Sequence, residues 1–365
     1  MKFTYSEIST AINKVMGAVS KRSTLPVLDY IKVDYKDEKI RFTATDLENT
    51  IIYEFPYMEE VEPFLLEAVK ISQIVKVLDK AKDVDIIVSS EKVIIKQGKD
   101  KYILPVLPPE EYPDNPSADK FIALGEFTPT HTKMMSKVSK YAGHDDLRPV
   151  MSGAAVFFNK KNIAIIATNA HYLAETIIDF EKDDDIVYPS HVIIPNNALH
   201  LISKLFRTNY NIYNSDTQLA LKSDDTTLLI TKVDGKFPNY KTVIPKDNPN
   251  SFTINTRTFI SSIAKASINA NQATHLGEFR VNDNEVIIIS QDIDLGQESE
   301  VIIEATTEGD NERIGLNLNF LSMLVKDIEN EDTTIQFSSP GRAIIIEEES
   351  EEYKTLLLCM PVTLK

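Results

Sequence analysis

The 365-residue chain contains a single cysteine, Cys359. An internal disulfide is therefore excluded, which fits a reducing cytoplasm, and the thiol reads as a small buried hydrophobe in an apolar strand. No apolar run reaches the ~18 residues that a membrane-spanning helix needs, so no membrane association is expected. Residues Met1 to Tyr5 lack the basic start and apolar stretch of a secretory signal. There is no glycine-rich phosphate loop of the P-loop or dinucleotide type, so no cofactor is expected. Positive charge is also scarce. Thirty-nine Lys and Arg face 55 Asp and Glu, a net of −16, and a uniformly acidic surface would repel nucleic acid. What is present, 42% hydrophobic and 26% charged residues, is the composition of a globular protein long enough for two or three domains.

Self-similarity organises the rest. Phe-Thr occurs at Phe3-Thr4, Phe127-Thr128 and Phe252-Thr253, spaced 124 and then 125 residues. Each pair opens an amphipathic helical pattern. The apolar positions are Ile8, Ala11, Ile12, Val15 and Val19 in the first, Met134, Val138 and Tyr141 in the second, and Phe259, Ile263 and Ile268 in the third. Further on, each unit has a strand pattern ending in a polar turn: Arg41 to Asp46, Ile163 to Asn169 and Val286 to Asp292. A second helical pattern follows at Leu65 to Lys82, Asn196 to Thr208 and Asn317 to Asn330. Alternating strands with a proline close each unit, at Tyr102 to Pro105, Thr231 to Pro245 and Leu356 to Pro361. The expected fold is α+β, three repeated domains over residues 1–123, 124–248 and 249–365, each with two helices backed by antiparallel sheets. Pro108, Pro109, Pro113 and Pro116 crowd the first boundary, and Pro245 and Pro249 the second, as short connectors.

The charge is unevenly spread. The helical windows 5–20, 65–82, 128–142, 196–208, 255–271 and 317–330 hold thirteen Lys or Arg against five Asp or Glu, a net of +8. The remainder must then carry −24 for the total to be −16. Lys133, Lys137 and Lys140 are spaced four and three, offset from Met134, Val138 and Tyr141, so one stripe faces a core and the other something acidic. Lys204 and Arg207 belong to the same helical set. Duplex DNA is the partner such a surface suits, held without regard to sequence through its phosphates. Six helices packed about 10 Å apart enclose a bore of only roughly 10 Å, whereas twelve enclose about 28 Å. A duplex needs about 20 Å. The expectation is therefore a head-to-tail homodimeric ring with a basic lining and an acidic outside.

Other chemistries fare worse. His144 with Asp145 and Asp146, and Asp183 to Asp185, are candidate metal ligands only formally, since adjacent strand residues point opposite ways. They read as solvated loops, Glu347 to Glu352 as an exposed acidic turn, and no metal site is expected. His171 has no nucleophile motif beside it. A repeat protein that binds only other proteins would explain the three units and leave the charge split without a cause.

Several segments resemble one family along the whole chain: Met1 to Thr4, Ser23 to Leu28, Thr43 to Glu48, Ala167 to Ala174, Val233 to Tyr240 and Met360 to Val362. The chain is thereby similar to the bacterial DNA polymerase III β subunits, the sliding clamps. The resemblance implies a non-catalytic ring, loaded by an ATP-driven clamp loader, that tethers the replicative polymerase, repair polymerases and ligase through short hydrophobic peptides. It implies a peptide pocket at the junction of the second and third units, formed by Met151, Thr168, His171, Tyr172, Leu173, Pro238, Val243, Asn317, Phe320, Met360, Pro361 and Val362. Arg22, Lys70 and Arg148 match the family's DNA-contacting positions. Tyr102 and Leu104 would meet the region of Ile268 in a second copy. The chain departs from the family at Asn169-Ala170-His171-Tyr172-Leu173, where Asp-Gly-His-Arg-Leu is typical. Thr242 and Thr363 stand where Arg is common, and Asn196-Asn197 replace a basic pair. Pro149 and Val150 replace aromatics, and Asn269 replaces an apolar residue.

Overall fold

The computed structural model describes residues 1–20, 25–89, 91–114, 121–143, 147–183 and 185–364. Arg22, His144, Asp145, Asp146 and Asp184 lie outside the described residues. Six α-helices stand at the expected places: α1 (Tyr5–Val15), α2 (Ala68–Val77), α3 (Pro129–Ser139), α4 (Asn196–Leu205), α5 (Thr256–Ala266) and α6 (Leu318–Val325). Two are shorter than their periodicity suggests. Phe64–Glu67 is a strand ahead of α2, and Asn317 caps α6 without continuing into it.

The Phe-Thr markers have a physical reason. Phe3, Phe127 and Phe252 are all essentially fully buried under the helix that follows. Phe252 packs against Phe259, Phe279 and Phe337 with ring centroids 6.0–6.4 Å apart. Thr4 starts α1. Its hydroxyl accepts the Glu7 N–H at 3.2 Å while the Glu7 carboxylate accepts the Thr4 N–H at 2.8 Å, a reciprocal cap that satisfies donors left open at a helix start. In the second repeat His131 takes the place of Glu7, its Nδ1 accepting the Thr128 N–H at 3.1 Å.

The polar turns repeat atom for atom in the first two units. The Thr45 hydroxyl donates to Asn49 O and accepts the Leu47 N–H, while Asp46 Oδ1 accepts the Glu48 and Asn49 N–H groups. The Thr168 hydroxyl donates to Tyr172 O at 2.6 Å and accepts the Ala170 N–H at 3.1 Å. Asn169 Oδ1 accepts the His171 and Tyr172 N–H groups at 2.9 and 3.1 Å. The middle residue of each turn is left-handed, Leu47 at φ 74° and Ala170 at φ 75°. That conformation costs a non-glycine residue roughly 1–2 kcal/mol, and the hydrogen-bonded turn holds it.

The strand expected over Thr231 to Pro245 is corrected. The Thr226–Thr231 strand ends there, and no strand follows until Asn250–Asn255. Gly235 at φ +129° and the prolines 238, 245 and 249 break any ladder. The segment is instead pinned by single bonds: Val233 N–H to Ile193 O at 3.0 Å, and Tyr240 Oη–H to Glu175 Oε1 at 2.7 Å.

The chain folds as two compact units that regroup the repeats: residues 1–132, 182–187 and 197–232, and residues 133–181, 188–196 and 233–365. In the first, an eight-stranded sheet runs from Phe64–Glu67 through Tyr30–Lys36, Lys39–Thr45 and Asn49–Pro56. It continues into Thr226–Thr231, Gln218–Lys222, Tyr210–Asn214 and Ile122–Phe127. Strands of two repeats thus pair directly, Tyr53 opposite Thr226 and Asn49 opposite Ile230, and Lys14 Nζ binds Asp225 at 2.9 Å beside that seam. In the second unit a nine-stranded sheet joins Tyr172–Asp179 to Tyr353–Cys359 in the same way, Tyr172 opposite Cys359 and Ile178 opposite Tyr353. Each unit also holds a four-stranded sheet. One ends on the strand Asp100–Pro105, the other on Gln297–Glu304.

Because the marker phenylalanines close the core beneath a helix, Phe252→Ala is expected to cost about 4 kcal/mol and Thr4→Ala about 1 kcal/mol. Urea unfolding monitored by circular dichroism measures both.

Candidate peptide pocket and basic helix faces

All the expected pocket residues fall in the second compact unit. The Asn169–Tyr172 turn delivers His171 to the surface and Tyr172 inward. The His171 ring stacks on Phe320 with centroids 5.7 Å apart and planes 24° apart, and Tyr172 meets Phe320 edge-on at 5.0 Å. Tyr141 closes the far side of Tyr172, edge-on at 6.2 Å. Phe320 is aimed by Asn317, whose Oδ1 accepts the Asn319 and Phe320 N–H groups at 3.0 and 3.1 Å and whose Nδ2 donates to Thr274 O. Asn317 is thus a helix cap beneath the wall. The chain end completes the site: the Met360 N–H donates to His171 O at 2.8 Å, and the Val362 N–H donates to Gly315 O at 2.8 Å.

The expected members contribute unequally. Met151 and Thr168 are buried, the latter with its hydroxyl committed to the turn. Leu173 is core, packed in a cluster with Phe237, Tyr240 and Leu358. His171, Pro238, Val243 and Met360 are exposed, and Phe320, Pro361 and Val362 half-buried. Burial pushes the Tyr172 hydroxyl above its ordinary pKa and the Cys359 thiol up to about 12. Both stay neutral, as an apolar docking surface requires. Among the described residues no three His, Cys, Asp or Glu side chains gather as metal ligands. The arrangement offers aromatic faces, a thioether, a proline and open backbone, which suit a short apolar peptide and no bond-making chemistry.

The helices proper carry eight Lys or Arg against one acidic residue, Glu7. Their exposure, however, revises the expected stripe. Lys137 is only 7% exposed, its Nζ 2.6 Å from Glu348 Oε2, and Glu348 is 2% exposed. Glu348 Oε1 accepts the Glu329 N–H at 2.7 Å, so both carboxylate oxygens are satisfied. Lys137 is therefore removed from the candidate DNA contacts, because it neutralises a buried charge. The acidic run Glu347 to Glu352 is likewise not simply an exposed turn, since Glu347 to Glu349 lie on the Ile344–Glu349 strand with Glu348 inward. Lys133 and Lys140 are about half exposed and paired with Glu329 and Asp327 at 2.7 and 2.6 Å. Lys70, Lys204, Arg207 and Arg148 are exposed. So are Lys76, Arg257, Lys265 and Lys326, which sequence reasoning counted without singling them out. Their signal was position on the helical windows. No carboxylate pairs with any of these four among the described residues.

At the four-stranded sheets, Tyr102 is half-buried and Leu104 buried, while Ile103 between them is 54% exposed. The strand alternation thus makes Ile103 the outward residue, and Leu104 belongs to the core. On the other edge Ile302 is 62% and Ile268 72% exposed. Asn269 turns its amide inward, Nδ2 donating to Glu298 O at 2.9 Å and to Ser299 Oγ at 3.0 Å.

Comparison with known proteins gives a consistent result. Family models of the DNA polymerase III beta subunit match in chain order: the N-terminal domain over residues 1–116, the central domain over 128–239 and the C-terminal domain over 241–363. The beta sliding clamp of Bacillus subtilis (strain 168) is 25% identical, with 99% of each chain covered. That of Staphylococcus aureus is 22% identical, with 96% and 95% covered. Among solved structures, the DNA polymerase III subunit beta of Pseudomonas aeruginosa superposes with a TM-score of 0.92 at 20% identity, over 100% of this chain and 99% of that one. A Pseudomonas aeruginosa sliding clamp bound to griselimycin gives 0.90 at 20%, with the same coverage.

The buried ion pair makes its own prediction. Lys137→Met strands the Glu348 carboxylate and should destabilise the fold by about 3 kcal/mol, whereas Lys137→Met with Glu348→Leu should recover most of that loss. Urea midpoints of the two variants decide it, and equal losses would mean the pair is not coupled.

Proposed function

The chain belongs to the DNA polymerase III beta subunit family, and on that premise we propose that it is a sliding clamp. Two copies join head to tail into a ring around duplex DNA. The ring holds the replicative polymerase, the clamp loader and repair polymerases or ligase through the His171–Phe320–Met360 pocket. It performs no chemistry of its own; its output is processivity.

One observation carries the ring. Where two repeats follow each other in the chain, their strands merge into a sheet of eight or nine. The first and third repeats each keep a sheet of four, ending on an open strand with an exposed isoleucine, Ile103 or Ile302. An open strand edge is a template for another strand. Joining Asp100–Pro105 of one copy to Gln297–Glu304 of the next makes a further eight-stranded sheet, comparable to the eight- and nine-stranded sheets within the chain. Two such joints close six repeats and twelve helices, enough for a duplex-sized bore. Tyr102 and Ile268 flank this joint.

For the lining, the supporting feature is the exposed cation set: Lys70, Lys76, Lys204, Arg207, Arg257, Lys265 and Lys326, together with Arg148 and with Arg22 from the sequence. Lys133 and Lys140 would add less, since each already neutralises a carboxylate. Contacts of this kind are independent of sequence and weaken with salt. A single cysteine with an un-ionised thiol suits the cytoplasm. No helix among the described residues is long and apolar enough to cross a membrane.

After loading, the protein should stay on circular duplex and slide off a linear duplex of the same sequence. Equal retention on both, in a gel-filtration assay, would rule out encirclement. Ile103→Asp should lower the native mass, read by light scattering, from two chains to one without loss of secondary structure. A dimer that survives the change would show the joint lies elsewhere.

A further inference from the structure

The pocket is partly built by a chain end, and a chain end is an uncertain wall unless something fixes it. Its first attachment, Met360 N–H to His171 O at 2.8 Å, is a feature of the repeat: the Thr231 N–H donates to Glu48 O at 2.8 Å in the same place of the preceding seam. The second attachment, Val362 N–H to Gly315 O, matches the Val233 N–H to Ile193 O bond at 3.0 Å in the preceding repeat, with glycine in place of isoleucine as the acceptor. It is an isolated antiparallel bridge onto the outer edge of the Glu312–Asn317 strand, whose other edge is taken by Leu276–Asn282. Pro361, between the two donors, has no N–H to leave unsatisfied.

Gly315 carries no positive φ, so any residue could adopt its backbone conformation. Space excludes a side chain. A methyl group there would overlap the Val362 carbonyl oxygen and lie 3.0 Å from a Leu364 methyl and 3.2 Å from a Leu276 methyl. Beyond that point the half-buried Leu364 packs over Gly315. A cleft of about 500 Å³ lies beside Thr363 and Leu364, lined also by Arg313 and Pro340.

We propose that Gly315 is a positioning residue of the peptide pocket: its missing side chain seats the C-terminal tail on the strand edge, and this seat sets where Met360 and Pro361 stand. The proposal rests on the pocket reading above. It deepens that reading by placing a determinant of peptide affinity on a residue outside the His171–Tyr172–Phe320 wall. A strand edge thus serves as a rail for a wall segment.

The test uses the full-length protein with griselimycin as the probe and calorimetry as the readout. Gly315→Ala should weaken binding about tenfold and increase hydrogen exchange at the Val362 amide, with native mass unchanged. Val362→Pro, which removes the tail's donor and leaves the strand untouched, should give a similar loss. The double variant should lose no more than the larger single loss, because both act through one contact. Unchanged affinity in Gly315→Ala, or losses that add in the double variant, overturns the proposal. Should Gly315→Ala fail to fold, Val362→Pro alone decides: unchanged affinity with a freely exchanging tail overturns it. Failure of the unaltered protein to bind griselimycin would count instead against the pocket reading.

Discussion

The structure depends on one constraint, that a β-strand inside a sheet must have a neighbour on both sides. Each repeat satisfies it by lending strands to the next. Asn49–Pro56 pairs with Thr226–Thr231, and Tyr172–Asp179 pairs with Tyr353–Cys359, each over five or more residues in register. The seams are then locked by side chains, Lys14 with Asp225 in one unit and Lys137 with Glu348 in the other. A chain of three repeats has two such seams, and the four-stranded sheets of the first and third repeats end on Asp100–Pro105 and Gln297–Glu304, the edges where the proposed second copy would join.

Charge follows from the same layout. Helices that cover one side of the sheets hold almost all their ionised residues as Lys or Arg, while the acidic excess falls on strands and turns. The exception is instructive. The α3 lysines look from the sequence like a stripe turned to a partner, yet the protein uses them to tie the second repeat to the third. Periodicity reports which side chains leave the core of their own helix. It does not report what another segment, here Glu348 from more than two hundred residues away, places against them.

Much of the fold was therefore legible. The Phe-Thr pairs located the helices because a buried ring and a capping hydroxyl are local needs. Two of the three polar turns could be matched because Thr45-Asp46 and Thr168-Asn169 build the same hydrogen-bonded loop from adjacent residues. The parts that could not be read were long-range. Leu104 and Ile103 exchange roles through strand register, Leu173 sinks into a core assembled from five strands and two loops, and Thr231 to Pro245 loses its strand to prolines and a positive-φ glycine. The pocket was legible as a set of names and less so as an arrangement. Asn317 turned out to hold Phe320 in place from below, and Gly315 was invisible to any reading that looks for side chains.

The middle repeat is divided between the two compact units, its α4 side grouped with the first repeat and its strand Tyr172–Asp179 with the third. The period seen in the sequence is consequently not a unit that can be excised. A cut near residue 123 would pass through the strand Ile122–Phe127, and one near 248 would part Asn250–Asn255 from the segment that leads into it. A lone repeat would leave unpaired the strands that the present chain joins at its two seams, Asn49–Pro56 with Thr226–Thr231 and Tyr172–Asp179 with Tyr353–Cys359.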